Sequence, residues 1–215
     1  MKKVLIVLLL AICLVSVNAE KSKLARLHYS GGGDWYNDAD AIPNYASFLN
    51  KNLKTDLALE EKAVKPGSSE IFDYPYIFMT GHGNISFSEK DSENLRKYLQ
   101  RGGFLFADDD YGMDDSFRSE IKKVFPEKEL IELPASHEIF TCFYNLKNGL
   151  SKIHKHDDKR PQIFAIFDDF GRIMVLYSYE TNISDGWSNA HKDPQQKKDE
   201  AFHIGANIFW YMFTN

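Results

Sequence analysis

The sequence predicts an α/β protein, a three-layer sandwich built around a mainly parallel sheet. The runs Tyr76–Thr80 and Phe104–Ala107 are short and apolar, and each ends abruptly in glycine, histidine or carboxylates. Continuous apolar runs are typical of strands that are buried on both faces of a parallel sheet. A helix-like segment lies between the two runs, and strand, helix and strand together have the length of a βαβ unit. Such units place their two strands in parallel through a right-handed crossover.

The first nineteen residues have the pattern of an export signal. Lys2 and Lys3 precede the apolar run Val4–Val17, and small residues lead to a cleavage-like site after Ala19. A retained membrane anchor is the alternative, but an anchor needs about 20 apolar residues and this run is shorter. We therefore expect a signal peptide over residues 1–19, export to a periplasmic or extracellular location, and no membrane span after cleavage.

Residues 20–215 are predicted to form one domain with a full hydrophobic core. Hydrophobic residues make up 43% of the chain, which is ordinary for a globular protein. The formal net charge of −5 argues against nucleic acid as a partner, because binding to a phosphate backbone needs positive charge. After cleavage Cys142 is the sole cysteine, so the exported domain must be stable without an intramolecular disulfide.

The first strand is predicted over Lys23–Tyr29, and a glycine-rich loop follows it at residues 31–33. Glycine tolerates positive φ and lets the backbone approach another group closely. The next element is a helix, because Pro43 suits a first turn and three apolar residues share one helical face. These residues are Tyr45, Phe48 and Leu49.

The helix between the two apolar strands is predicted from its ends and from its apolar face. Ser88 and Asp91 have the spacing of a capping box, and Gly102 and Gly103 end the helix before the strand Phe104–Ala107. The buried face is supplied by Leu95, Tyr98 and Leu99.

The second half of the chain supplies the remaining layers. Gln162–Phe167 and Ile173–Tyr179 are predicted strands, joined by a turn at residues 168–171 into a hairpin added to the sheet. A helix precedes them, marked by Phe117, Ile121, Val124 and Phe125. A closing helix ends the chain, with a face made by Ala201, Ile204, Ile208 and Tyr211.

Three polar segments are predicted to converge at the carboxyl edge of the sheet, where open α/β sheets bind ligands. The candidate ligand-binding residues are Gly31, Gly32, Gly33, Asp34, Trp35, Gly81, His82, Gly83, Asp108, Asp109 and Asp110. Strand alternation puts Asp108 and Asp110 on one face and Asp109 on the other. The structural alternative is that the glycines form tight turns and the aspartates cap a helix or stay solvated.

Histidines supply the candidates for acid–base chemistry at this edge. His82, between two glycines, suits an acid, a base or a ligand, or a hydrogen bond that fixes the loop. His137 lies in a loop that could fold back over the same edge, so the catalytic candidates are His82, His137, Asp108 and Asp109. Together they would form a nitrogen and oxygen metal site. No cofactor or metal is assigned, because the sequence lacks HExxH or a comparable ligand spacing.

Two further histidines, His154 and His156, lie in a highly charged segment. We expect them in a solvated loop distant from the site, since charge runs usually form exposed surface. Trp35 and Trp187 lie in polar loops and would line a binding surface or pack in the core, and core burial is the favoured interpretation for each.

Several motifs occur in one order along almost the whole mature chain. They are Arg26–Tyr36, Tyr74-Pro75, Met79–Gly83, Leu95–Leu99, Gly102–Asp109, Leu133-Pro134 with His137, Tyr177-Ser178, Asp185–Trp187, and Gly205–Asn207 with Tyr211. In these motifs the chain resembles the bacterial domain of unknown function 4159 family (DUF4159). The resemblance implies a flavodoxin-like sandwich of the class I glutamine amidotransferase-like kind, in a family without an established activity.

The wider amidotransferase fold carries its nucleophilic cysteine on an elbow directly after a strand. Here Phe104–Ala107 leads into three aspartates instead, and Cys142 lies between aromatics as a core residue would. The predicted function is therefore noncatalytic: an exported domain that binds a small ligand or an envelope protein partner. The alternative is an Asp/His hydrolase, with or without a metal ion, acting on a glycan or an amide.

Overall fold

The fold is built on a seven-stranded sheet, seen in a computed structural model that describes residues 20–156 and 158–215. The expected signal peptide, residues 1–19, lies outside the described residues. The strands are β1 (Ala25–Leu27), β2 (Lys62–Val64), β3 (Tyr76–His82), β4 (Phe104–Tyr111), β5 (Ile131–Glu132), β6 (Gln162–Phe167) and β7 (Ile173–Tyr179). The α-helices are α1 (Ala41–Leu53), α2 (Glu89–Gln100), α3 (Asp114–Val124) and α4 (Gln195–Thr214).

The strand order is β2-β1-β3-β4-β7-β6-β5. Neighbours from β2 through β7 are parallel, whereas β6 and β5 are added in antiparallel orientation. The predicted parallel pairing of the first, second and third apolar strands is therefore confirmed, and so is the β6–β7 hairpin. The chain reverses its direction of sheet growth between β1 and β3, which is where open α/β sheets form a crevice at their carboxyl edge.

The helices cover both faces of the sheet and make the predicted three layers. Strand side chains alternate between the faces, so neighbouring residues enter different cores. Phe78 and Phe106 pack with α1 and α4 on one face, while Ile77 and Leu105 pack with α2 and α3 on the other. Among the described residues, no helix is both long enough and apolar enough to cross a membrane.

Two of the central strands extend further than the sequence predicts. Pairing between β3 and β4 continues to His82 opposite Tyr111, with a register shift after Gly81. The prediction ended these strands at Thr80 and Ala107 because the apolar run ends there. Hydrogen bonds between β3 and β4 extend both strands past these residues, and such bonds depend on the partner strand rather than on the local sequence. His82 and the three aspartates are therefore strand residues.

The capping box predicted for α2 is present. The Ser88 hydroxyl oxygen accepts a hydrogen bond from the Asp91 backbone N–H at 3.2 Å, and an Asp91 carboxylate oxygen accepts one from the Ser88 N–H at 3.0 Å. Each bond gives an acceptor to a backbone N–H at the start of the helix, which has no acceptor within the helix. α2 begins at Glu89, directly after Ser88, as a capping box requires.

Candidate functional site

His82 lies at the carboxyl edge of the sheet with a carboxylate beside each ring nitrogen. Its Nδ1 lies 3.1 Å from Asp34 Oδ2, and its Nε2 lies 3.3 Å from Asp110 Oδ2. Asp34 also accepts a hydrogen bond from the His82 backbone N–H. The side chain of His82 is 43% exposed, so the ring is oriented by protein groups yet open to solvent. Sequence reasoning placed His82 and Asp34 at this edge, and the structure brings them together.

Asp110 is buried beneath His82 and is held by two asparagines. The Asn182 side chain donates to Asp110 Oδ1 at 2.9 Å, and the Asn37 amide donates to Asp110 Oδ2. Sequence reasoning missed both asparagines. Asn182 has φ of +56°, a conformation that asparagine tolerates better than most residues, and this loop preference is the signal that could have drawn attention to it.

Asp108, a candidate for ligand binding and catalysis at this edge, is held by hydrogen bonds within the fold. It is fully buried, and its carboxylate accepts hydrogen bonds from the hydroxyls of Ser178 and Ser184 and, at 2.7 Å, from the Ser184 N–H. Burial raises the pKa of Asp108 to about 6. Asp108 therefore ties β4 to β7 and to the segment that follows β7, and Asp110 is the carboxylate that reaches His82.

Asp109 points to the opposite face of the sheet, as strand alternation predicts. Its Oδ1 accepts a hydrogen bond from the Met113 backbone N–H at 3.0 Å, just before α3, and its Oδ2 lies 3.4 Å from the Tyr177 hydroxyl, which donates its proton to Asp114 at 2.8 Å. Burial raises the pKa of Asp109 to about 7. Its described hydrogen bonds all serve the fold.

The glycine-rich loop after β1 packs directly on the loop after β3. The Gly33 N–H donates to the Asn84 carbonyl at 2.9 Å, and a Cβ atom at Gly31, where φ is +114°, would lie 2.6 Å from the Ile85 carbonyl carbon. This close approach requires glycine. Trp35, from the same loop, is half-buried and stacks on His28 with ring centroids 4.0 Å apart.

A buried arginine holds the loop that delivers Asp34 and Asp38. Arg26, on β1, donates to the Asn37 carbonyl at 2.6 Å and to the Asp38 carbonyl at 3.1 Å, and its Nε is 2.9 Å from a Glu61 carboxylate oxygen. The planar guanidinium can make these bonds together because its donors point in fixed directions. Arg26 thus fixes the loop backbone from below.

His137 has its described contacts elsewhere. Its ring nitrogen accepts a hydrogen bond from the Ile139 N–H at 3.2 Å, and its ring lies 5.5 Å from that of Tyr211 on α4. Cys142 is half-buried nearby, and its thiol is 3.4 Å from the Asn207 carbonyl oxygen. Burial raises the pKa of this thiol. The structure does not bring either residue to His82.

The prediction that His154 and His156 lie in a distant loop is wrong. The His156 ring stacks on Tyr111 at 4.5 Å and lies 6.5 Å from the His82 ring, while the His154 ring lies 5.5 Å from that of His191. The loop is anchored because Ile153 is buried and its N–H bonds the Thr181 carbonyl at 2.8 Å. Local charge composition carries no information about this long-range backbone pairing.

Asp185 lies at the centre of the histidines, in a short 3-10 helix that also contains Trp187. It is only 1% exposed, and among the described residues its Oδ1 has no hydrogen-bond partner. Burial, together with the charges of Asp110 and Asp108, raises the pKa of Asp185 far above its usual range. Trp187 itself is fully buried against Tyr45 with ring centroids 4.1 Å apart, so its predicted core role is confirmed.

Two groups of side chains around Asp185 are suited to hold a metal ion. His154 and His156 form one group with Asp185, and Asp38 and His191 form the other; within each group the possible ligand atoms lie within 4.8 Å of one another. Imidazole and carboxylate together suit transition metals. The sequence analysis considered His82, His137, Asp108 and Asp109 as a metal site, and it missed these two groups because their residues come from three separate segments and show no local spacing.

The fold and this edge define an α/β protein with a cluster of polar side chains beside the switch in strand order. The family model for the domain of unknown function DUF4159 matches residues 23–213. The chain therefore belongs to this family, as the sequence motifs indicated. No curated protein matches the chain.

Proposed function

We propose that this chain is an exported, noncatalytic domain of the amidotransferase-like and flavodoxin-like kind that binds a small cationic ligand at the carboxyl edge of its sheet. The strand order supports the flavodoxin-like assignment, because β2-β1-β3-β4 is followed by a fifth parallel strand, β7. The N-terminal pattern of Lys2, Lys3 and the apolar run supports export.

The absence of glutaminase chemistry is supported by the residues at the end of β4. This strand carries Asp108, Asp109 and Asp110 where an elbow cysteine would stand. Cys142 instead lies by α4, with a thiol whose pKa is raised by burial, which makes it a poor nucleophile.

The observation that carries the proposal is that Oδ1 of the buried Asp185 accepts no hydrogen bond from any residue that the structure describes. A buried acceptor without a donor costs about 1–3 kcal/mol. Burial and the nearby carboxylates of Asp110, Asp108 and Asp38 raise the pKa of Asp185, so this carboxyl group keeps its proton at neutral pH. A bound cation would displace that proton and supply the missing partner of Oδ1.

The test is thermal unfolding of the purified protein with a panel of cations: Mg²⁺, Ca²⁺, Zn²⁺, Co²⁺ and spermidine. We expect at least one of them to raise the unfolding temperature, because binding to the folded state alone stabilises it. Asp185→Asn should remove this effect. Asp169→Asn is the matched control, because Asp169 is 88% exposed in the β6–β7 turn. Equal stabilisation of both variants, or none of the wild type, would contradict the proposal.

A metal-assisted hydrolase is the second candidate, favoured by the geometry of His82. The His82 imidazole is oriented by Asp34 at one nitrogen, lies 3.3 Å from Asp110 at the other and is partly exposed, so it can exchange a proton with a substrate as a general acid or base. The test is a panel of chromogenic amides and glycosides, with and without added Zn²⁺. Turnover that is lost in His82→Gln supports the hydrolase, and no turnover above the buffer rate leaves binding as the function.

A further inference from the structure

We propose that the cation is a transition-metal ion such as Zn²⁺, bound at Asp185 Oδ1 with His154 and His156 as ligands and with Asp38 and His191 completing the set. This inference rests on the proposed function, since it names the cation that the edge binds. The five residues come from the loop after β1, the loop before β6 and the segment after β7.

Distances favour one ion among these groups. Ligand atoms around a tetrahedral zinc ion lie about 3.3–3.5 Å apart, given bonds of about 2.0–2.1 Å. Within each of the two groups, Asp185 with His154 and His156 and Asp185 with Asp38 and His191, the possible ligand atoms lie within 4.8 Å of one another. His191 Nε2 is 3.6 Å from Asp185 Oδ1 and 2.8 Å from Asp38 Oδ1. Side-chain adjustments of about an ångström would bring either group to ligand distances, and Asp185 is common to both.

The free oxygen of Asp185 is an independent sign of a ligand. It lies in a nearly inaccessible side chain, whereas the other oxygen is 3.3 Å from the Asn182 amide. Buried polar atoms nearly always form hydrogen bonds, and a bound ion is one of the standard explanations for an exception. Histidine clusters alone bind stray metal, but this cluster includes a buried carboxyl group with an oxygen that accepts no hydrogen bond from the described residues.

The surroundings orient the ligands. His154 Nδ1 lies 3.4 Å from the carboxylate of Asp193, which is itself buried. A carboxylate on the far nitrogen of a metal-binding histidine fixes the ring and makes it a better donor. Asp38 is fixed through its carbonyl by Arg26.

The ligand chemistry selects the class of ion. Mg²⁺ and Ca²⁺ prefer sites made wholly of oxygen atoms, whereas imidazole suits zinc, cobalt, nickel and copper. Three of the five proposed ligands are histidines. We therefore expect Zn²⁺ and Co²⁺ to bind far more tightly than Mg²⁺ or Ca²⁺.

The experiment measures Zn²⁺ binding to the untagged protein by competition with a chromogenic chelator, after prior metal removal, and the absorption spectrum of the Co²⁺ form. We expect one ion per chain, and a loss of affinity of at least about tenfold in Asp185→Asn and in His156→Ala. His156 is exposed, so its removal should not unfold the protein. His203→Ala, on α4 against Tyr144, is the matched control and should bind as the wild type does.

The outcomes separate this inference from the function on which it rests. Zn²⁺ affinity that is unchanged in Asp185→Asn and His156→Ala would overturn the site. Binding of only Mg²⁺, Ca²⁺ or spermidine, lost in Asp185→Asn, would overturn the transition-metal assignment and keep the cation-binding function. Failure of every cation to bind would overturn both. Thermal unfolding of each metal-free variant distinguishes lost binding from lost folding.

Discussion

Asp109→Asn should stabilise the protein above neutral pH, because Asp109 is a buried acid whose folded pKa is raised from 3.8 to about 7. The amide keeps the acceptor for the Met113 N–H. Its new N–H₂ group can donate to the Tyr177 oxygen, because the Tyr177 hydroxyl donates to Asp114 at 2.8 Å. The substitution therefore removes a titrating charge and leaves the local hydrogen bonds intact.

The magnitude follows from the linkage between protonation and folding. A pKa that is higher in the folded state means that the folded protein binds more protons between pH 3.8 and about 7. The stability contributed by protonated Asp109 is present in full below this window and is lost as pH rises through it. Three pH units at about 1.4 kcal/mol each give a loss of about 4 kcal/mol, complete above pH 7.

The assay is urea unfolding of the wild type and of Asp109→Asn between pH 4.5 and 8. The wild type should lose stability as pH rises through this range, and ionisation of Asp109 should account for part of the loss. The variant lacks that part, so the difference in unfolding free energy between the two proteins should grow with pH towards about 4 kcal/mol. Asp168→Asn is the control, because the pKa of Asp168 is lowered and it lies in the β6–β7 turn. A difference between wild type and Asp109→Asn that does not change with pH would refute the reasoning.

Three further substitutions or reactions test other parts of the structure. Thiol reagents should label Cys142 slowly in the native protein at neutral pH, because burial raises its pKa, and Cys142→Ala should leave Zn²⁺ binding unchanged; rapid native labelling would contradict this. Arg26→Met should lower the free energy of unfolding in urea by about 3–5 kcal/mol, because the substitution leaves Glu61 and three carbonyls without their charged donor. A decrease below about 1 kcal/mol would show that the loop does not depend on Arg26. Gly205→Ala should destabilise by about 1–3 kcal/mol despite the gain in helix propensity, because its Cβ would lie 2.7 Å from Trp187, and an unchanged unfolding midpoint would count against this packing.

Those parts of the fold that depend on local sequence could be predicted. The bounds of β6 and β7 agree with the prediction, since apolar runs flanked by turn residues define them. The capping box at Ser88 is a three-residue pattern and was found for the same reason. The first strand, predicted over Lys23–Tyr29, is shorter, Ala25–Leu27, because its ends depend on neighbours that periodicity does not reveal.

The candidate site could be predicted only in part. His82, Asp34 and Asp110 were found because they follow apolar strands, and parallel strands bring such residues to one edge. Asp185 and His191 follow no such run. Their meeting with His154 and His156 depends on a loop that is tied to the chain after β7 by the Ile153–Thr181 hydrogen bond.

The segment after β7 joins the proposed metal site to the core through packing and hydrogen bonds. Trp187 is fixed by stacking on Tyr45 and by its Nε1–H bond to the Ala201 carbonyl at 2.9 Å, so Asp185, two residues earlier, has little freedom. Ser184 is fixed in turn by Asp108. In the histidine loop the side chain of His156 is exposed, so its ring can move more easily than the buried carboxyl group of Asp185. Asp185 therefore provides a fixed oxygen from the core, and an ion bound there would draw the histidine loop onto the sheet edge rather than move the carboxylate outwards.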